Sequence, residues 1–308
     1  MNAPRREGAR PARRRLDGVL LLDKSLGLSS NHALQAARRL YNAEKAGHTG
    51  TLDPLATGLL PLCFGEATKF SGELLNADKR YVATVQLGVT TTTADVEGEV
   101  LARRPVEAGR PEVEAVLTAF AGEIDQVPPM YSALKRDGKP LYEYARAGIE
   151  IERAARRVRI HELHLLDWDD ALTGRFVFEV RCSKGTYVRT LAADIGKRLG
   201  CGAHLTALRR TGIGDLDVAQ AYSLATLETL AAEARDALLL PPDALLSGLG
   251  EAQLNVADAA RLRHGQAIRW SAEEGVRLRV YDAEHGFMGV CRQVADGWLL
   301  PQRLVAGG

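Results

Sequence analysis

Residues 46–65 read AGHTGTLDPLATGLLPLCFG, a stretch with four Gly, two Pro, one His and a single carboxylate, Asp53. Pro54 biases the residue before it away from αR geometry, toward an extended or turn conformation. Gly47, Gly50 and Gly58 permit backbone angles and close approaches that other residues do not. Asp53 is therefore expected on a rigid loop ahead of a hydrophobic strand, LLPLCF. A lone Asp-Pro usually caps a turn. Here the polar neighbours are His48, Thr49, Thr51 and Thr57, which can bond a ligand or fix the carboxylate. One acid without a partner acid is poorly equipped for ordinary glycoside hydrolysis. Work as a nucleophile or as a specialised base is what remains open to it.

Working outward, DGVLLLDK reads as a short buried strand, and SSNHALQAARRLYN as a helix capped by Ser29 or Ser30, with Leu34, Ala37 and Tyr41 on one face. RYVATVQLGV alternates as a strand that sends Tyr81, Ala83, Val85 and Leu87 one way. Residues 111–124 carry a helical pattern. The segment that follows is Pro-punctuated and basic, with eight Lys/Arg against four Asp/Glu from Lys135 to Arg159. It suits an excursion from the core that returns in a strand near Val158. Phe176, Phe178, Val180 and Cys182 alternate as another strand, and Lys184-Gly185 turns the chain. Thr186 is placed to cap a helix whose apolar face is Val188, Leu191, Ala192, Ile195 and Leu199. Strands separated by helical patterns predict an α+β fold. The boundary falls near 247–252, and 249–308 reads as a small β-rich module of short strands and Gly turns.

The chain has 308 residues, 46% apolar and 26% charged, an ordinary globular composition with room for one or two domains. No apolar run is long enough to span a membrane as a helix. The first fifteen residues hold six Arg and one Glu with no apolar signal segment, and read as a disordered basic arm. With those arginines set aside, the rest carries slightly more acid than base, so a polyanion surface must come from local clustering. Cys63, Cys182, Cys201 and Cys291 lie far apart, with no C-x-x-C and no His at zinc spacing. Buried thiols in a cytoplasmic chain are expected, with no metal site.

Five ordered motifs resemble the bacterial tRNA pseudouridine-55 synthases of the TruB type. They are LLDKSLGLSSN (21–31), GHTGTLDPLATGLLPLCFGEATKF (47–70), DKRYVATVQLG (78–88), VPPMYSALKRDGKPLYEYARAG (127–148) and CSKGTYVRTLAADIGKRLGCGAHLTALRR (182–210). The family's D-K-P-x-G reads Asp23-Lys24-Ser25 here, one departure. The resemblance implies a pseudouridine synthase fold, with a central mixed, largely antiparallel sheet and flanking helices over 16–248. It also implies a PUA-like RNA-binding domain over 249–308. The implied reaction needs no cofactor and isomerises uridine 55 in the T-loop of tRNA: the N1–C1′ bond breaks, the uracil turns, and C5 joins C1′.

Asp53 falls on the family's catalytic aspartate. Attack on C1′ and removal of a sugar proton both remain open, and either needs an ionised carboxylate aimed at the ribose. Arg189 falls on the family's basic position, where a guanidinium can hold that carboxylate. By itself Arg189 reads as a solvated residue on the first turn of a helix. The resemblance also implies that Tyr81 stacks on an extruded uracil, Tyr187 is a second pocket tyrosine, and the Leu208 backbone touches the base. His48 is implied to occupy space that the flipped T-loop vacates. A stacked uridine is reached only by extrusion. Phosphate contacts are expected from Lys24, Lys135, Arg146, Lys184 and Arg209, within basic stripes that also take in Arg136, Lys139, Arg153, Arg156, Arg157 and Arg210. Residues 126–152 are expected to form an RNA-clamping thumb. The implied partner is the T-arm stem-loop of tRNA, bound by a monomer. The competing readings are an RNA chaperone without chemistry and a glycosidase acting on the same bond.

Overall fold

The computed structural model describes residues 12–169, 173–284 and 286–306. Strand β1 (Gly18–Lys24) is buried on both faces, which explains its unbroken apolar run. Leu20 and Leu22 enter one hydrophobic layer, Val19 and Leu21 the other. Ser29 accepts the His32 N–H and starts α1 (Ser30–Leu40), whose Leu34 and Ala37 are buried. Strands β2 (Ala46–His48) and β3 (Ala56–Phe64) pair antiparallel on either side of the Asp53 loop. Gly47 sits inside β2, an ordinary strand position. Two short 3₁₀ turns, Gly65–Phe70 and Glu73–Leu75, lead to β4 (Lys79–Leu87), which buries Ala83, Val85 and Leu87. Strands β5 (Val89–Thr91) and β6 (Val100–Arg103) form a small hairpin.

Helix α2 (Arg110–Ala119) stops short of the 111–124 pattern. Gly122–Gln126 instead form β7, because an edge of β10 (Arg156–Trp168) pairs with them and overrides a weak helical preference. Between β7 and β10 lie β8 (Lys135–Arg136), β9 (Lys139–Pro140) and the short α3 (Leu141–Arg146). Strand β11 (Arg175–Cys182) then runs into α4 (Val188–Arg198). Thr186 does not cap that helix. Tyr187 holds the N-cap position, and the Thr186 hydroxyl donates to the Ser183 carbonyl at 2.9 Å, closing the preceding turn. Strands β12 (Ala203–Ile213), β13 (Leu216–Asp217) and β14 (Tyr222–Ser223) and helices α5 (Leu224–Thr229) and α6 (Ala232–Asp236) follow.

Ten of these strands make one sheet in the order β14-β1-β3-β12-β4-β11-β10-β7, with β2 on β3 and β13 on β12, while β5-β6 and β8-β9 pair separately. Its pairings are antiparallel except β1–β14 and β3–β12. A separate five-stranded sheet contains β15 (Gly250–Leu254), β16 (Ile268–Arg269), β17 (Arg277–Asp282), β18 (Gly286–Val294) and β19 (Trp298–Leu304), with α7 (Val256–Arg263) against it. It has its own small core, while its Val290 joins the layer of Val19, Phe70 and Leu246 on the large sheet.

Residues 1–11 of the expected arm lie outside the described residues. Its end is fixed: Arg14 bridges Ala43 in the backbone and pairs with Asp236. All four Cys are buried and unpaired, and burial pushes the thiols of Cys63, Cys182 and Cys291 up to about 12. Among the described residues, no helix is long and apolar enough to cross a membrane.

Candidate active site

The Asp53 loop is pinned at successive peptides. Ser30, the first residue of α1, donates its hydroxyl to the Leu52 carbonyl at 3.0 Å and accepts the Leu52 N–H at 2.8 Å. The Ala56 N–H closes a turn on the Asp53 carbonyl at 3.0 Å, and the Gly27 N–H reaches the Pro54 carbonyl at 2.9 Å. Gly58 is required by contact as well as by angle: at φ +97° a Cβ would lie 2.3 Å from the Arg210 carbonyl oxygen. Gly50, at φ +73°, turns its carbonyl toward the buried Arg210 guanidinium. The backbone around Asp53 is thus fixed, while its side chain remains 41% exposed.

Arg189 meets that carboxylate with Nε 3.0 Å from Oδ2. Its side chain is only 6% exposed, so the reading of a solvated first-turn residue does not hold. Nη1 donates to the Thr93 carbonyl at 3.0 Å and Nη2 to the Tyr131 carbonyl at 2.7 Å. A second carboxylate, Asp95, is 3% exposed and places Oδ2 3.6 Å from the same Nε. Asp95 is held by the Thr93 hydroxyl and, at 3.0 Å, by the Glu97 N–H. Sequence reasoning missed it. The available signal was a run of Thr90 to Thr93 ahead of an acid, polar residues placed where they can anchor a buried carboxylate. Nearby, Glu97 has its carboxyl pushed above the usual range by burial and by the fields of Asp95 and Asp53.

Two chambers meet at this ion pair, and both are lined by Thr51, Leu52, Asp53, Ser132, Ala133 and Arg189. The first, about 580 Å³, adds Tyr81, Tyr187, Leu208, Leu75 and Gly185. The second, about 500 Å³, adds His48, Asn31, Asp95, Glu97, Tyr142 and Arg146. Each falls within the range of small-ligand pockets. Tyr81 stands on β4 opposite Arg210 of β12, and Leu208 pairs with Ala56 on β3. Tyr187 is braced by the buried side chain of Gln126, which accepts its N–H at 2.7 Å and donates to its carbonyl at 3.1 Å. Gln126 is a second residue that sequence reasoning missed. A carboxylate set between a tyrosine-walled chamber and a polar one can act on a nucleotide whose base enters the first.

His48 lines the second chamber, and its Nδ1 is buried without a hydrogen-bond partner. Burial, and then the Arg210 charge, push its imidazole below the ordinary value of 6.5.

The expected phosphate contacts divide. Lys135 is exposed on β8, and Arg146 is exposed with its guanidinium 5.4 Å from the Tyr142 ring. Lys184 is exposed beside the first chamber and donates to Asn76 Oδ1 at 2.8 Å. Arg209 already spends both terminal nitrogens on Asp23, at 3.0 and 2.7 Å. Lys24 is a correction, being buried, with Nζ donating to the carbonyls of Leu28 at 2.7 Å and Ser25 at 3.0 Å. Burial pushes its ammonium down to about 8, with Asp53 opposing. Lys24 ties the Asp23–Leu28 turn together where the family's proline is missing, and it cannot lie along a phosphate. Arg210 is corrected likewise: it is sealed in the interior, donating to the Leu59 carbonyl at 2.7 Å. Among the described residues, no three His, Cys, Asp or Glu side chains converge as a metal ion would require.

Comparison with known proteins adds three findings. The sequence matches the TruB family pseudouridylate synthase N-terminal domain over residues 38–188. It matches the tRNA pseudouridylate synthase B C-terminal domain over 189–247 and the pseudouridine synthase II TruB C-terminal domain over 250–305. It is 59% identical to the tRNA pseudouridine synthase B of Burkholderia mallei over 306 residues, covering 97% of each chain. It is 56% identical to that of Chromobacterium violaceum over 300 residues, covering 96% of this chain and 97% of the relative. The fold is similar to a chain of a Cbf5-Nop10-Gar1 complex, with a TM-score of 0.71 at 24% identity over 93% of this chain and 84% of the other.

Proposed function

The chain belongs to the TruB family of pseudouridine synthases, which isomerise uridine to pseudouridine in tRNA, and within that activity we propose that it acts on uridine 55 of the T-loop. The observation that carries this reading is the placement of Asp53 at the neck between two chambers, fixed by Arg189 and open toward Tyr81 and Tyr187. A uridine extruded from the T-loop puts its uracil into the tyrosine-walled chamber and its ribose at the neck. Tyr81 offers a ring face to the base, and the Leu208 backbone forms the chamber floor. Asp53 then acts at the sugar, by attack on C1′ or by removing a sugar proton. The N1–C1′ bond breaks, the uracil turns within its chamber, and C5 bonds to C1′. The C5 proton leaves and N1 gains one, so the product has the composition of the substrate.

Arg189 aims the carboxylate. Its donors are committed before substrate arrives, so no reorganisation is needed during reaction. His48, neutral at physiological pH, fills the space left by the extruded loop. Lys135, Arg146 and Lys184 follow the RNA backbone, residues 126–152 close on the T-arm, and the 249–308 module adds a second RNA contact. The enzyme works as a cytoplasmic monomer without cofactor.

The test is incubation with an unmodified tRNA transcript, followed by nucleotide-resolution mapping. Pseudouridine at position 55 alone is expected. A product at another position, or free uracil, would overturn the assignment.

A further inference from the structure

On the reading above, the first chamber receives the uracil, and one of its walls includes Leu75. Leu75 is 52% exposed, an apolar side chain left open beside two tyrosines. A planar base entering the chamber would cover it, and burying such a side chain against a base is favourable.

Leu75 ends the single 3₁₀ turn Glu73–Leu75. Its middle residue, Leu74, is buried in the layer of Phe70 and Leu246, but the turn is not fully backed by packing. Behind it lies a cavity of about 220 Å³ whose lining includes Glu73, Leu74, Ala77, Leu246 and Leu249. Polar ties add to the anchoring by Leu74. Lys79 Nζ donates to the carbonyls of Leu75 at 2.9 Å and Ala77 at 2.6 Å. A further tie comes from the five-stranded tail. Arg277, the first residue of β17, binds Glu73 through both terminal nitrogens, at 2.9 and 2.7 Å. Both side chains are 31% exposed, so the pair is substantially shielded from water. Arg277 Nε is taken by Gln302 Oε1 at 2.9 Å, which leaves that guanidinium poorly placed to hold an RNA phosphate.

We propose that Leu75 is a substrate-contacting residue that closes the uracil chamber, and that Arg277 of the tail is a positioning residue that holds it there through Glu73. The tail therefore completes the catalytic cleft, in addition to any contact it makes with RNA.

The test measures single-turnover pseudouridine formation, tRNA affinity and thermal unfolding for L75A, R277M, E73Q and the charge-reversed pair E73R/R277E. Leu75→Ala is expected to slow the single-turnover step about tenfold, with tRNA affinity within about threefold of wild type. R277M and E73Q are expected to slow the same step about fivefold, and the reversed pair to recover most of that loss. L75A running within about twofold of wild type would overturn the substrate contact. An R277M defect seen only in affinity or thermal stability, or one that E73R/R277E leaves uncorrected while folding normally, would overturn the positioning role. Should R277M fail to fold, E73Q decides that role by the same criteria. A wild-type chain that leaves position 55 unmodified would bring down the functional reading itself. A wild type that modifies it, with every variant equally fast, would bring down this inference alone.

Discussion

Arg189 and Arg146 both reach the cleft, one from the first turn of α4 and the other from the end of α3, under opposite physical conditions. Arg189 is buried and holds two carbonyls and a carboxylate, with a second carboxylate close by. Arg146 is exposed and rests against the face of Tyr142. The first is a charge whose direction is set before RNA arrives, so its energy goes into aiming Asp53. The second is a screened and movable charge suited to a phosphate backbone whose path varies. On the proposed function, one cleft separates chemistry from binding by burial, and substitutions on the two sides should fail in different ways.

The largest expected effect is at the buried end. Arg189→Lys keeps the charge but loses the fork that spans Asp53, Thr93 and Tyr131. Single-turnover pseudouridine formation should fall at least about a hundredfold, while tRNA affinity moves less than about threefold. A loss of affinity equal to the loss of rate would erase the contrast between the two arginines. Next comes Asp95→Asn, which removes the second charge competing for Arg189. Rapid-quench kinetics should show a fall of about tenfold with the fold intact, because a small misdirection of the guanidinium carries to Asp53. At the exposed end, Arg146→Ala should weaken tRNA binding only several-fold and leave the single-turnover step nearly unchanged. Filter-binding titrations should show the slope of log K against log salt reduced by about one.

The smallest effect concerns His48. Its imidazole is held below 6.5 in the folded state, so the unfolded chain takes up that proton first as pH falls. Stability from this group is therefore complete above about 6.5 and declines in more acidic solution. Denaturant melts at about pH 7.5 and about pH 5.5 should show His48→Gln losing less stability than wild type over that interval. Equal losses would show that His48 does not titrate differently in the two states.

The sequence made the framework legible wherever one period ran through one element. The alternation in β4 and β11 and the helical face of α4 are local facts, and the chain keeps them. Asp53 was legible because Pro54 and the glycines act on their immediate neighbours. What stayed hidden depends on strands far apart in the chain. Asp95 becomes a partner of Arg189 because residues 91–95 lie beside β12, and Gln126 braces Tyr187 across 61 residues. Lys24 and Arg210 were misread because a basic residue near a motif suggested RNA. Their positive groups are instead satisfied inside the protein by backbone carbonyls, that of Leu28 in the turn before α1 and that of Leu59 in β3. The neighbours Arg209 and Arg210 show how this arises. Successive side chains on β12 point to opposite faces, so one meets Asp23 at the surface and the other enters the interior.

The central claim is that Asp53 performs the chemistry while other groups hold the RNA. Asp53→Asn tests it most directly, since Asp95 remains beside Arg189 as a counter-charge and the cleft should keep its shape. The decisive measurement is single-turnover pseudouridine formation by D53N on unmodified tRNA, with affinity determined in parallel. The expected result is no product at position 55, with affinity within about tenfold of wild type, roughly 1.4 kcal/mol. Product accumulating at position 55 at a rate near that of wild type would contradict the account.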